Sequence, residues 1–175
     1  MYRYLYNKTL AGISLFISGG FAIAQTSTPN ILYIMSDDHT SQAISAYNGI
    51  LASYMPTPNI DRIAKEGVLM KNCFVTNSIS TPSRACIITG QYSQKNGVYT
   101  LNDQLDRNHP TVAKELQKAG YQTAIFGKWH LGTEPAGFDE YNVLPGQGRY
   151  YNPQLIRKGD WDKGPDGRPK TTQNT

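Results

Sequence analysis

Three short stretches hold most of the residue types that can do chemistry. Asp37 and Asp38 are adjacent carboxylates, and two like charges held so close are unfavourable unless protons or a cation compensate them. Their hard oxygens suit Ca2+, with Mg2+ as the second choice. Taken alone, the pair also describes a solvated loop or a helix cap. The second stretch is Ser80-Thr81-Pro82-Ser83-Arg84, running on through Ala85-Cys86-Ile87-Ile88-Thr89 to Gly90. A hydroxyl just before a helix N-terminus meets free N–H groups and the positive end of the macrodipole, which favour an anion. Arg84, four residues on, returns to the same side. Alone, this reads equally as a Ser/Thr cap beside a surface arginine. The third stretch is Gly127-Lys128-Trp129-His130-Leu131-Gly132. Two residues apart on extended backbone, Lys128 and His130 would leave from one face. There an ammonium and an imidazole can hold an anionic substrate and protonate a leaving oxygen. An isolated pair of this kind is also a loop lysine and a hydrogen-bonded histidine.

The elements that must position these groups can be read from pattern. Asn30–Met35 is a short continuous apolar run, as expected of a buried parallel strand that delivers Ser36 to His39 at its end. Thr57-Pro58 opens a helix with Ile60, Ile63 and Ala64 on one face, and Gly67 terminates it. Val68–Val75 reads as the next strand. Thr81 as N-cap and Pro82 at the first position predict a helix over Ser83–Thr89, closed by Gly90. Val112 and Leu116 sit one turn apart on a helix ended by Gly120, and Tyr121–Phe126 forms another strand. Strands alternating with helices predict an α/β fold with a parallel sheet. Sites in such sheets gather beyond the carboxyl ends of strands, where Asp37, Asp38, Lys128 and His130 fall. From Pro145 onward apolar residues thin out, and the last fifteen positions show no helical or strand period, so this tail is not expected to close a core by itself. No internal repeat is present.

Composition narrows the class. A chain of 175 residues with 39% apolar content can bury a core, and 16 Gly with 10 Pro against 17% charged residues disfavours a coiled coil or simple bundle. The formal charge of +4 comes from the two ends, with a near-balanced middle, which excludes a nucleic-acid footprint. Cys73 and Cys86 form no CxxC and are too few for a disulfide scaffold; a single bridge is one alternative, but their apolar surroundings favour two buried free thiols. At the N-terminus, Arg3 and Lys8 precede an apolar stretch from Leu10 to Ile23, and Ala22-Ile23-Ala24 has small residues where a signal peptidase reads. The stretch is broken by Gly19 and Gly20 and is shorter than the roughly 20 residues a spanning helix needs. Residues 1–24 are therefore expected to be a cleaved export signal. The mature chain would begin at Gln25, be periplasmic or secreted, and have no membrane attachment after cleavage.

In this order, a strand ending in Asp-Asp, then a Ser-x-Pro-Ser-Arg stretch leading to a helix ending in Thr-Gly, then Gly-Lys-Trp-His-Leu-Gly, the chain resembles the N-terminal part of a type I, formylglycine-dependent sulfatase of the alkaline phosphatase-like superfamily. The resemblance runs from Pro29 to Trp161. It implies an α/β, parallel-sheet sulfatase-like sandwich of which residues 25–144 are the N-terminal part of the catalytic domain, followed by a loop-rich tail over 145–175. It also implies that Ser80 is oxidised to formylglycine by a radical-SAM sulfatase-maturating enzyme, and that Asp37, Asp38 and the modified Ser80 bind Ca2+. By the same resemblance Arg84 orients the aldehyde, while Lys128 and His130 contact sulfate and the aldehyde hydrate. Ser36–Thr40, Ser83–Cys86 and above all Gly146-Gln147-Gly148-Arg149-Tyr150-Tyr151-Asn152-Pro153 are similar to bacterial sulfatases acting on 6-O-sulfated N-acetylglucosamine of host glycans. Tyr150 and Asn152 are accordingly candidate substrate contacts, with a plain surface loop the even alternative. His39 and His109 receive no role. Family members are several hundred residues long, and the later calcium ligands, histidine and lysine have no counterpart here. This resembles a truncated member, expected to be poorly stable and inactive alone. Two other functions compete: phosphoester or phosphonate hydrolysis on the same superfamily fold, and a non-catalytic secreted glycan-binding remnant using the Tyr150/Tyr151 loop.

Overall fold

An Asp-centred knot organises the first helix. The computed structural model describes residues 28–164 and 168–173, which divide into two units, Met1–Gly67 and Val68–Thr175; the expected signal segment and its cleavage site lie outside the described residues. In the first unit, helix α1 spans Pro58–Glu66 with Thr57 as N-cap and Gly67 as C-cap, as the Thr-Pro and Gly signals require. The Asp61 carboxylate, one turn in, accepts from the Ala46 amide at 2.9 Å, from Thr57 Oγ1 at 2.8 Å and from Ser45 Oγ. The Thr57 amide donates to Ser45 Oγ at 2.8 Å, which ties the short 3-10 turn Ser45–Tyr47 to the helix start. The Ser45 bond first, with the Thr57 and Ala46 bonds, holds Asp61 below the ordinary carboxylate range.

This unit departs from expectation in its strand. Asn30–Met35 forms no ladder, and its side chains stand in solvent, Leu32 at 83% and Ile34 at 78% exposure. Ile60 and Ile63 on α1 are likewise exposed, and no described residue of the unit is buried. A strand exists only by pairing, because each of its N–H and C=O groups needs a ladder partner or water. An apolar run with no neighbouring strand in its unit stays open.

The second unit holds the core. Helix α2 spans Ser80–Thr89, α3 Ser93–Asn96 and α4 Val112–Lys118. Strand β1 is Ala124–Lys128, β2 Glu140–Leu144, β3 Gln154–Arg157 and β4 Thr172–Gln173. The spatial order is β1-β2-β3-β4, with β1 and β2 parallel and the two later pairs antiparallel, so the sheet of this chain is mixed rather than wholly parallel. Leu105, Trp129, Leu131, Phe138, Tyr141, Val143 and Ile156 are buried in one cluster, with Trp161 packed against it. The segment beyond Pro145 thus contributes a strand and Ile156 to the core. Trp129 meets Phe138 edge to face at 6.0 Å between centroids, and Tyr141 meets Trp161 in the same way at 6.5 Å.

Three sequence expectations shift here. Val68–Val75 is irregular and exposed, Phe74 at 86%, for the same want of a pairing partner. Cys73 is exposed, while Cys86 is buried and both are free. The strand expected over Tyr121–Phe126 begins at Ala124, because Thr123 is spent on a turn. Its amide donates to Asp139 Oδ2 at 2.8 Å and its hydroxyl to the Gly137 carbonyl at 2.8 Å, so the ladder opens at Ala124 opposite Glu140. Helix α4 matches its signals: Thr111 Oγ1 accepts from the Lys114 amide, and Gly120 turns the chain at φ +85°.

Candidate active site

Parallel pairing of β1 and β2 brings Lys128 level with Leu144 at the carboxyl ends of both strands, where α/β sheets place their sites. Both chains then turn sharply. After Lys128, Trp129 dives into the core and donates its indole N–H to the Thr133 carbonyl at 2.6 Å, and Leu131 is fully buried. His130, between these two anchors, is half-buried at φ +54°. Extended backbone therefore stops at Lys128, and the common face expected of Lys128 and His130 gives way to a left-handed turn. Left-handed backbone is uncommon outside glycine, though Asn, Asp and His are the residues enriched there, and it persists where surrounding packing over-determines it. Asp38, in a turn of the first unit at φ +50°, and Asn152, at φ +45°, share it.

Helix α2 supplies the partner. It starts three residues earlier than its Thr-Pro signal suggests, so Ser80 lies in the first turn rather than before it, and Pro82 sits where its missing N–H still costs nothing. Thr81, expected as the cap, is buried and donates its hydroxyl to the Leu101 carbonyl. Ser80 Oγ accepts from Arg84 Nε at 3.3 Å, the one-turn spacing of a helix, and lies 3.3 Å from His130 Nδ1. Arg84 Nη1 donates to the Lys128 carbonyl at 2.6 Å, fastening the guanidinium to the end of β1. Arg84, from the same stretch as Ser80, and His130, from another, thus converge on the Ser80 hydroxyl, with the Lys128 main chain as their brace. The Lys128 ammonium donates to Gln147 Oε1 at 2.8 Å.

Gln147 was not singled out as a site residue, although it stands inside the Gly146-Gln147-Gly148 motif. Its signal was the glycine pair. Gly146 and Gly148 take φ of +54° and +77°, and a Cβ on Gly148 would come within 2.7 Å of Leu144 Cδ1. Only glycine allows the tight turn that sends Gln147 back over β1. Tyr150 and Tyr151, at 93% and 84% exposure, form no part of this cluster, and Asn152 is exposed as well. His109 is satisfied by Gln91 Oε1 at 2.9 Å.

Asp37 and Asp38 belong to the first unit. Two carboxylates offer the oxygen chemistry calcium prefers, but fewer than its 6 to 8 ligands, and no group of three or more metal-ligating side chains occurs among the described residues. This chain's donors fit part of a calcium shell. No helix among the described residues is long and apolar enough to cross a membrane.

Comparison with known proteins settles the family. Residues 29–158 match the sulfatase family model. The chain belongs to the sulfatase family. It is similar to an N-acetylglucosamine-6-O-sulfatase of Bacteroides thetaiotaomicron, at 46% identity over 153 residues, covering 86% of this chain and 27% of that protein. An N-acetylgalactosamine-6-O-sulfatase of the same organism is 40% identical over 119 residues, covering 65% of this chain and 23% of that protein. Among solved structures, BT4656 in complex with its substrate D-glucosamine-2-N,6-O-disulfate superposes with a TM-score of 0.75 at 44% identity, over 85% of this chain and 28% of that one. The fold is accordingly that of a sulfatase, represented by its N-terminal region. The chain spans about a quarter of the length of the relatives it matches.

Proposed function

We propose that this chain is the nucleophile-bearing part of a sulfatase that removes 6-O-sulfate from N-acetylglucosamine in host glycans. The observation that carries the reading is the convergence of Arg84 and His130 on the Ser80 hydroxyl, supported by likeness to a sulfatase named for that substrate.

The chemistry explains why a serine there would be oxidised. A radical-SAM maturating enzyme would take two hydrogens from Ser80 to give an aldehyde, which water hydrates to a pair of hydroxyls on one carbon. One hydroxyl attacks sulfur as the ester S–O bond breaks, and His130 gives the departing sugar oxygen its proton. The second hydroxyl then loses its proton, the carbon–oxygen bond to sulfate breaks, and the aldehyde returns. A plain serine sulfate lacks that second hydroxyl and would be trapped. Arg84 holds the reacting oxygen, while the Lys128 ammonium balances charge on sulfate. Asp37 and Asp38 are the carboxylates this chain offers to a calcium ion, which would supply further charge compensation when bound. The chain would reach the periplasm or exterior after cleavage at Ala24.

The test is sulfate release from N-acetylglucosamine-6-sulfate by a protein carrying this chain at the full length of its relatives, co-expressed with a maturating enzyme. Turnover that Ser80→Ala abolishes supports the reading; turnover that survives Ser80→Ala overturns it.

A further inference from the structure

Strands β1 and β2 run parallel, a pairing whose connection is most often a helix, yet residues 129–139 between them form neither helix nor strand. Side chains must therefore fix the course of the loop that carries His130. Glu134 stands four residues past His130 in that loop and takes no part in the Ser80 cluster. We propose that Glu134 is a positioning residue of the Ser80 site, whose carboxylate clasps the His130 loop to β2 and to the segment before α4 and so holds the imidazole against the Ser80 hydroxyl. For its effect on turnover the proposal rests on the sulfatase reading, to which it adds a residue outside the reacting cluster.

Two bonds meet on this carboxylate. Tyr141 donates its hydroxyl to Oε1 at 2.8 Å, and Arg107 Nη2 donates to Oε2 at 2.6 Å. Tyr141 is fully buried on β2 and belongs to the core cluster, so the first bond reaches from the loop into the interior of the sheet. Burial first, then the hydrogen bond and charge of Glu134, push the phenol up, which keeps its hydroxyl protonated as a donor. The Lys118 and Glu115 pair on α4 is a contrast: its side chains are 71% and 57% exposed, whereas that of Glu134 is 19% exposed. An exposed pair contributes little, but a buried hydroxyl stripped of its acceptor carries the full desolvation penalty.

The rest of the loop carries this anchor back to the imidazole. Trp129 Nε1 donates to the Thr133 carbonyl at 2.6 Å, Thr133 Oγ1 donates to the Leu105 carbonyl at 2.8 Å, and the Leu105 amide donates to the Leu131 carbonyl at 3.1 Å. Arg107 stands two residues past Leu105, so Glu134 closes the far end of the same bonded ring. His130, in its left-handed turn at φ +54°, lies inside that ring with Nδ1 3.3 Å from Ser80 Oγ. A displacement of about 1 Å there would part the imidazole from the reacting oxygen, a misplacement that can lower a rate by roughly a hundredfold.

The experiment has two arms. In the 175-residue chain, NMR reads cross-relaxation between the His130 ring and the Ser80 Hβ protons; in the matured protein at the full length of its relatives, kcat and KM are measured on N-acetylglucosamine-6-sulfate. Glu134→Ala should weaken the cross-peak at least about twofold and lower kcat roughly thirtyfold, with KM held within about twofold. Glu134→Gln keeps an oxygen for the Tyr141 hydroxyl and should bring kcat back to within about threefold of the parent. Tyr141→Phe keeps the buried ring and the fold, and should lower kcat about tenfold; joined to Glu134→Ala it should add no more than about twofold, because both remove one bond. Glu115→Ala, which breaks the exposed pair on α4, should change neither readout. An unchanged cross-peak, a kcat for Glu134→Ala within about threefold of the parent, no recovery with Glu134→Gln, or full additivity with Tyr141→Phe would each overturn the proposal. A full-length protein that releases no sulfate would sink the sulfatase reading instead, and the cross-peak would then decide the clasp by itself.

Discussion

Leu131→Ala tests how the left-handed turn at His130 is held. Leu131 is fully buried, and its carbonyl accepts from the Leu105 amide at 3.1 Å. Removing its side-chain branch leaves a cavity in the core cluster, which costs about 3 kcal/mol, within the roughly 2–5 kcal/mol seen for such truncations. With a urea slope of about 2 kcal/mol per molar, the unfolding midpoint should drop by roughly 1.5 M. Phe126→Ala is the control: this larger side chain lies on edge strand β1 at 68% exposure, and its loss should cost within about 0.5 kcal/mol, or roughly 0.25 M. Urea unfolding followed by far-UV circular dichroism reads both. Equal midpoint shifts, or a larger one for Phe126→Ala, would mean that the core does not lie under the turn. The account of how His130 is positioned would then be wrong.

Other outcomes follow from the same geometry. Arg84→Lys keeps the charge but cannot bridge Ser80 Oγ and the Lys128 carbonyl together; in a full-length, matured protein, sulfate release should fall by roughly a hundredfold or more in kcat. Gln147→Leu removes the 2.8 Å acceptor of the Lys128 ammonium, and loss of one hydrogen bond to a charged group, about 1.5 kcal/mol, should lower kcat/KM roughly tenfold. Asp139 is held below the ordinary carboxylate range, first by the Thr123 amide and then by Gln117, with a smaller part from Lys158. Its folded value lies beneath its unfolded one, so its contribution to stability is complete above the ordinary carboxylate value and fades as pH falls through the lowered one. Asp139→Asn should therefore flatten the acid limb of a stability–pH curve and leave its neutral part parallel. Limited proteolysis should cut between residues 28 and 79, where no described side chain is buried, before it cuts the β1 to β3 segment.

Local signals in the sequence carried over well where a single turn decides the outcome. Thr57-Pro58 with Gly67, and Thr111 with Gly120, bracket helices found at those places. The chemistry-bearing motifs were also legible, because Ser80 and Arg84 share a helix face and the end of β1 brings His130 to them. What pattern could not supply was pairing. Asn30–Met35 and Val68–Val75 have the composition of buried strands, yet composition says nothing about which neighbour completes the ladder, and in this structure neither run has one. Pro82 is compatible with any position in a first turn, so it could not distinguish Ser80 inside the helix from Ser80 before it. The left-handed turn at His130 arises from burial of Trp129 and Leu131 on either side, a tertiary constraint that a two-residue spacing does not encode. Gln147 escaped notice because its role depends on β2 lying parallel to β1, a long-range fact.

The central claim is that the Ser80 side chain is matured into the reacting group. Mass spectrometry of the peptide spanning Ser80, from protein made in a native anaerobic host, measures this directly. The account predicts a peptide lighter by two hydrogens, with the change localised to Ser80. An unmodified serine in protein that still releases sulfate would contradict it.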